Sequence, residues 1–123
     1  MGTQFTSNKQ LLGGGITNGI NVLLGEESSD SSAITSISNT TFTSNQAITG
    51  GAIYNEGTIG NISGSTFTGN YAYDFTGEVE TAMFTLGGGA IYNVGRMTVT
   101  DSNFTNNATS YVGGAIANIK FGD

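Results

Sequence analysis

The side chains of this chain that could do chemistry are few and nearly all carboxylates. Nine acidic residues stand against three basic ones, Lys9, Arg96 and Lys120, and 123 residues contain no His and no Cys. That excludes imidazole acid–base catalysis, thiol nucleophiles, zinc or haem sites built from those ligands, and any disulfide framework. Chemistry run by carboxylates remains. Six of them gather in two short segments: Glu26, Glu27 and Asp30 among Ser28, Ser29, Ser31 and Ser32, and Asp74, Glu78 and Glu80. Oxygen-rich segments bind calcium when their ligands recur at fixed offsets, but the EF-hand spacing and the nonapeptide calcium repeat are both absent. These segments read as solvated loops. A carbohydrate-active site would need paired carboxylates and a base on one face; Glu56 and Asp101 fall in different parts of the pattern described below, and Arg96 is the single Arg. The expectation is a protein that is not an enzyme, with no catalytic residue, no cofactor and no metal, whose work is architecture or binding.

The net charge of −6 argues against a nucleic-acid partner, because neutralising a phosphate backbone takes clustered Lys and Arg. The longest apolar candidate, Ile20 to Leu24, is interrupted by Asn21 and far too short to cross a bilayer, so no membrane insertion is expected. Met1 to Phe5 lacks the basic start and apolar stretch of a secretion signal. Secretion, which the composition suggests, then requires that a signal be removed or lie in a longer precursor.

Gly, Thr, Asn and Ser make up just over half of the sequence, and a repeat explains them. Phe-Thr-x-Asn occurs four times, at Phe5–Asn8, Phe42–Asn45, Phe67–Asn70 and Phe104–Asn107. Gly-Gly-(Gly/Ala)-Ile alternates with it, ending at Ile16, Ile53, Ile91 and Ile116, and each Ile is followed two residues later by Asn18, Asn55, Asn93 or Asn118. Ile37, Ile62 and Val99 stand five residues before the later three Phe. From Phe42 to Phe67 is 25 residues, whereas Phe5 to Phe42 and Phe67 to Phe104 are both 37. The extra residues sit in different places, near 22–33 in the first unit and near 71–84 in the third. Insertions that move while the motifs stay constant belong to loops on a repeated scaffold. The chain therefore reads as one repeat domain, 1–123, with a basic unit of about 25 residues.

Helix is a poor reading of that unit, since Gly pairs cost roughly 1 kcal/mol per residue in a helix interior. Short runs rich in Ile, Val, Thr and Phe, bounded by Gly and Asn, read as strands. Three such runs per unit, separated by bends, make one turn of a parallel β-solenoid of about four turns. Like residues then stack in columns about 4.8 Å apart. Phe and Ile point inward, and Thr6, Thr43, Thr68 and Thr105 point outward by strand alternation. Asn8, Asn45, Asn70 and Asn107 fall at strand ends, where Asn tolerates a left-handed bend and its amide can bond the Asn above and below.

Alternating GGA(I/L/V) and FxxN resembles the passenger repeats of the polymorphic outer-membrane proteins of chlamydiae and of related autotransporter-like surface proteins. The resemblance runs from about Phe5 to Asn118 and implies a right-handed parallel β-helix, a cell-surface setting, and a role in adhesion or surface structure. The first copy departs from it by reading GGGI.

Neither end of the sequence offers a capping helix, and joining one copy's end to another's start leaves about the interval that separates Asn from the next Phe inside the chain. Two expectations follow: a homopolymer stacked head to tail into a filament, or a stretch of a larger surface adhesin. A carbohydrate-binding or carbohydrate-active β-helix is the rival from another class. Tyr54, Tyr92 and Tyr111 would supply its sugar-stacking stripe. The outward Thr column gives a minor ice-binding reading, with the full Thr-x-Thr present at Thr41–Thr43 and Thr66–Thr68.

Overall fold

The computed structural model describes residues 3–18, 33–73, 87–109 and 113–118. They form four parallel sheets, each made by stacking one short strand from successive turns of the chain. The Phe motif builds the first sheet from β1 (Thr3–Thr6), β6 (Thr40–Thr43), β10 (Thr66–Thr68) and β14 (Asn103–Thr105). The second holds β2 (Lys9–Leu12), β7 (Gln46–Thr49), β11 (Tyr71–Ala72) and β15 (Ala108–Thr109). The Ile-x-Asn motif builds the third from β3 (Ile16–Asn18), β8 (Ile53–Asn55), β12 (Ile91–Asn93) and β16 (Ile116–Asn118). In the fourth, β9 (Thr58–Ser63) lies between β13 (Arg96–Thr100) on one side and the two short strands β4 (Ala33–Ile34) and β5 (Ile37–Ser38) on the other.

The chain is thus a parallel β-helix, with four strand runs per turn where the sequence suggests three. The additional run is the second sheet. Its strands are as short as two residues and share no motif, so no periodicity announces them.

Register follows the motifs residue for residue. Phe5, Phe42, Phe67 and Phe104 are direct partners, as are Ile16, Ile53, Ile91 and Ile116. Ile37, Ile62 and Val99 align in the fourth sheet. The unequal repeat lengths leave these columns undisturbed. The insertions that make the difference, near 22–33 and 71–84, fall largely outside the described residues, and so do Glu26, Glu27, Asp30, Asp74, Glu78, Glu80 and Tyr111.

The inward columns form one core. Phe42, Ile53, Ile59, Ile62, Phe67 and Ile91 are fully or almost fully buried, with Ala52 and Ala90 filling the space beside the rings. The Phe rings stack nearly parallel, with centroids 4.9, 4.7 and 4.6 Å apart in succession. Strand spacing dictates that distance, and each stacked pair adds about 0.5–1.5 kcal/mol beyond its area burial. Phe5 and Ile16 on the first turn and Phe104 on the last are only partly covered, because each has a neighbour on one side. Ile116 is 38% exposed.

Candidate functional site

The corner after the first sheet is made by two adjacent residues with separate tasks. Ser7, Ser44 and Asn106 adopt φ of 56°, 57° and 57°, and Gly69 adopts 65°, so the left-handed bend belongs to the variable third residue of Phe-Thr-x-Asn. The Asn that follows does not make the bend, contrary to expectation. Its side chain turns inward and links the turns. The backbone N–H groups of Asn8, Asn45 and Asn70 donate to Oδ1 of Asn45, Asn70 and Asn107, at 3.0, 2.9 and 2.9 Å. Each Nδ2 donates to the same oxygen, at 2.9, 3.0 and 2.9 Å. The second Nδ2 hydrogen goes back one turn: Asn45, Asn70 and Asn107 donate to the carbonyls of Phe5, Phe42 and Phe67. Asn45 and Asn70 therefore use all four bonding positions of their amides, and both are fully buried.

The second Asn column runs parallel to the first. Asn18, Asn55 and Asn93 donate through Nδ2 to Oδ1 of Asn55, Asn93 and Asn118, at 2.8, 2.7 and 2.8 Å. A third column has no constant residue type to mark it in the sequence. Thr3, Thr40, Ser65 and Ser102 each lie two residues before a motif Phe. The backbone N–H of Thr40 donates to Ser65 Oγ, and that of Ser65 to Ser102 Oγ, both at 3.2 Å. The preceding residues Asn39, Gly64 and Asp101 have φ of 52°, 57° and 49°, so the corner before the first sheet is built like the corner after it.

The outward side chains differ from sheet to sheet. On the first sheet Gln4, Thr41, Thr66 and Asn103 form one row and Thr6, Thr43, Thr68 and Thr105 another, all partly or fully exposed. On the third sheet Tyr54 and Tyr92 stack with centroids 5.4 Å apart, yet they are 0% and 1% exposed. They are core, not the sugar-stacking stripe that their alternation suggests. The Tyr54 hydroxyl donates to Oε2 of the buried Glu56 at 2.6 Å. Burial, with the Glu56 charge adding to it, pushes the Tyr92 phenol up to about 12.

A different aromatic pair reaches solvent. Tyr71 and Tyr73, on the third turn, stack at 4.4 Å and are half-buried, and the Tyr73 hydroxyl donates to Gln46 Oε1 at 3.3 Å. A shallow cleft of about 420 Å³ lies between the third and fourth sheets, lined by Thr58, Asn93, Arg96, Thr98 and Asn118 among others. Glu56 and Asp101, the described carboxylates, sit at different corners, and no metal-binding cluster occurs among the described residues.

Among known families, the model of the Chlamydia polymorphic membrane protein (Chlamydia_PMP) repeat matches residues 39–56 and 64–94. Those stretches hold the Phe and Gly motifs of the second and third turns. No curated protein and no solved structure matches the chain.

Proposed function

The chain carries the Chlamydia polymorphic membrane protein repeat on its two central turns, and from that premise we propose that it is an extracellular, cell-surface structural solenoid that adheres through its outer faces and extends by end-to-end stacking with further copies. The observation that carries this reading is the register: every motif column passes through the turns without a slip. A turn of this kind presents the next one with a complete template of backbone groups and like side chains. The partly or fully exposed Thr, Gln and Asn rows of the first sheet offer a polar surface for adhesion. Sedimentation and electron microscopy of the purified chain over a range of concentrations test the stacking, which predicts linear particles that lengthen with concentration. A chain that stays monomeric at every concentration overturns it.

One observation favours a second reading, a glycan-binding β-helix. Tyr71 and Tyr73 present a stacked, half-exposed aromatic surface beside the Gln46 amide, the combination that holds a sugar ring by its apolar face and one hydroxyl. Binding of a glycan panel that is lost in Tyr71→Ala and Tyr73→Ala supports this reading; a panel that binds nothing removes it.

A further inference from the structure

All three polar columns point the same way along the solenoid axis. In the first Asn column the direction is set by a backbone N–H, which can only donate, so the oxygen of the following Asn must face it and the amide cannot be flipped. In the second column Nδ2 donates toward the later turn at each of three steps. In the hydroxyl column a backbone N–H again donates toward the later turn. The first and last described turns consequently differ in bonding character. On the last, Asn107 has Oδ1 filled by Asn70 and one Nδ2 hydrogen on Phe67 O, leaving its backbone N–H and second Nδ2 hydrogen directed onward. Asn118 there accepts from Asn93 and directs its Nδ2 onward. On the first turn Asn8 and Asn18 donate to Asn45 and Asn55, and no donor among the described residues meets their Oδ1 atoms.

We propose that two copies of this chain join in one polarity only, with the donor turn of residues 103–118 against the acceptor turn of residues 3–18 of the next copy, and that the Asn columns enforce it. Asn107 N–H and Nδ2 then meet Asn8 Oδ1, Asn118 Nδ2 meets Asn18 Oδ1, the Ser102 N–H meets Thr3 Oγ1, and Asn8 Nδ2 returns a bond to Phe104 O. Each of these repeats a bond that the chain already makes between its own turns. Phe5 comes to rest on Phe104 and Ile16 on Ile116, which covers the partly exposed ends of both apolar columns. Two donor turns brought together would oppose N–H to N–H, and two acceptor turns oxygen to oxygen, each leaving buried polar groups without partners. The contact is heterologous and does not close on itself, so it yields a fibre instead of a dimer.

This inference rests on the end-to-end stacking proposed above, and one variant separates the two. Asn118→Asp keeps the oxygen that Asn93 needs and takes away only the onward donor, setting a carboxylate against the next copy's Asn18 Oδ1. Asn107→Asp removes the onward side-chain donor of the first column, together with the bond to Phe67 O, and can be combined with it; Asn118→Asp alone carries the test if the combination does not fold. The variant, with a thermal melt and circular dichroism like those of the unaltered chain, is expected to remain monomeric by sedimentation. It keeps an intact acceptor turn, so mixed at about one part in ten it is expected to end growing filaments and shorten them to about ten subunits. Filaments of the unaltered chain that the variant does not shorten, or filaments whose images show two-fold axes across the fibre, overturn the polarity and leave stacking standing. An unaltered chain that never assembles overturns both.

Discussion

At the scale of single residues, the buried amides of Asn45 and Asn70 decide how tightly the turns are tied. Removing the Asn70 side chain leaves the backbone N–H and one Nδ2 hydrogen of Asn45 in a dry interior with no acceptor. Asn70→Ala is therefore expected to lower the urea unfolding free energy by about 2–6 kcal/mol, at roughly 1–3 kcal/mol for each of the two stranded groups. An unchanged urea midpoint would show that the column adds nothing. Tyr92 supplies a pH dependence. Its phenol ionises near 12 in the folded chain against about 10 unfolded, so between those values the native state holds more protons than the unfolded one. Stability is then independent of this group below pH 10 and falls as pH rises from 10 to 12. Melts across that range and a tyrosinate absorbance titration, in which a component ionising near 12 is lost in Tyr92→Phe, check it. Residues of both Asn columns could be picked out from spacing alone because Asn recurs there without exception. The left-handed position could not, since it is occupied by Ser, Ser, Gly and Asn in turn. The hydroxyl column was hidden by the abundance of Ser and Thr around it. The burial of Tyr54 and Tyr92 depends on tertiary packing, to which strand alternation is blind.

At the scale of the elements, glycines at two corners separate cramped backbone from merely bent backbone. Gly50 has φ of 68°, and a Cβ on it would collide with the Ile53 carbonyl oxygen. Gly69 has φ of 65°, and a Cβ there would meet only Ser44 Oγ, at 3.7 Å. Gly69→Ala is expected to cost about 1–2 kcal/mol, the ordinary left-handed penalty. Gly69→Asn should cost less, because Asn106 already occupies the equivalent corner with φ of 57°. Gly50→Ala should cost several times as much, because the carbonyl it meets is fixed in the sheet. Paired thermal and denaturant melts would measure the order Asn, Ala at 69, Ala at 50, and a reversal would refute the distinction. The first and third sheets could be read from the sequence since motif residues build them. The second could not, because strands such as Tyr71–Ala72 and Ala108–Thr109 are too short to show an alternation.

At the scale of the whole molecule, columns that run through every turn make the centre of the stack its most demanding part. Phe67 is buried with a ring on each side, whereas Phe104 is partly covered with a ring on one side. Phe67→Ala is expected to cost about 3–5 kcal/mol, in the range of large core truncations, and Phe104→Ala clearly less. Equal losses in denaturant titration would mean that the stack does not share its load in this way. Register is also indifferent to how long the chain takes to complete a turn: 25 residues and 37 deliver Phe to the same column. The first and third turns are lengthened at different corners, yet the motif pairs stay in register; the one shift in the sheets, between Met97 and Val99 against β9, is taken up before Val99 meets Ile62. Closing a loop grows costlier only with the logarithm of its length, about 0.6 kcal/mol per doubling. Two corners thus take extra residues while the motif columns hold, and a foreign peptide of about a dozen residues spliced between Val94 and Gly95, at the corner equivalent to the one lengthened in the first turn, should be carried on the outside with the columns beneath it still in step. Cargo at these corners can then change in length and sequence while the Phe and Ile columns stay where they are.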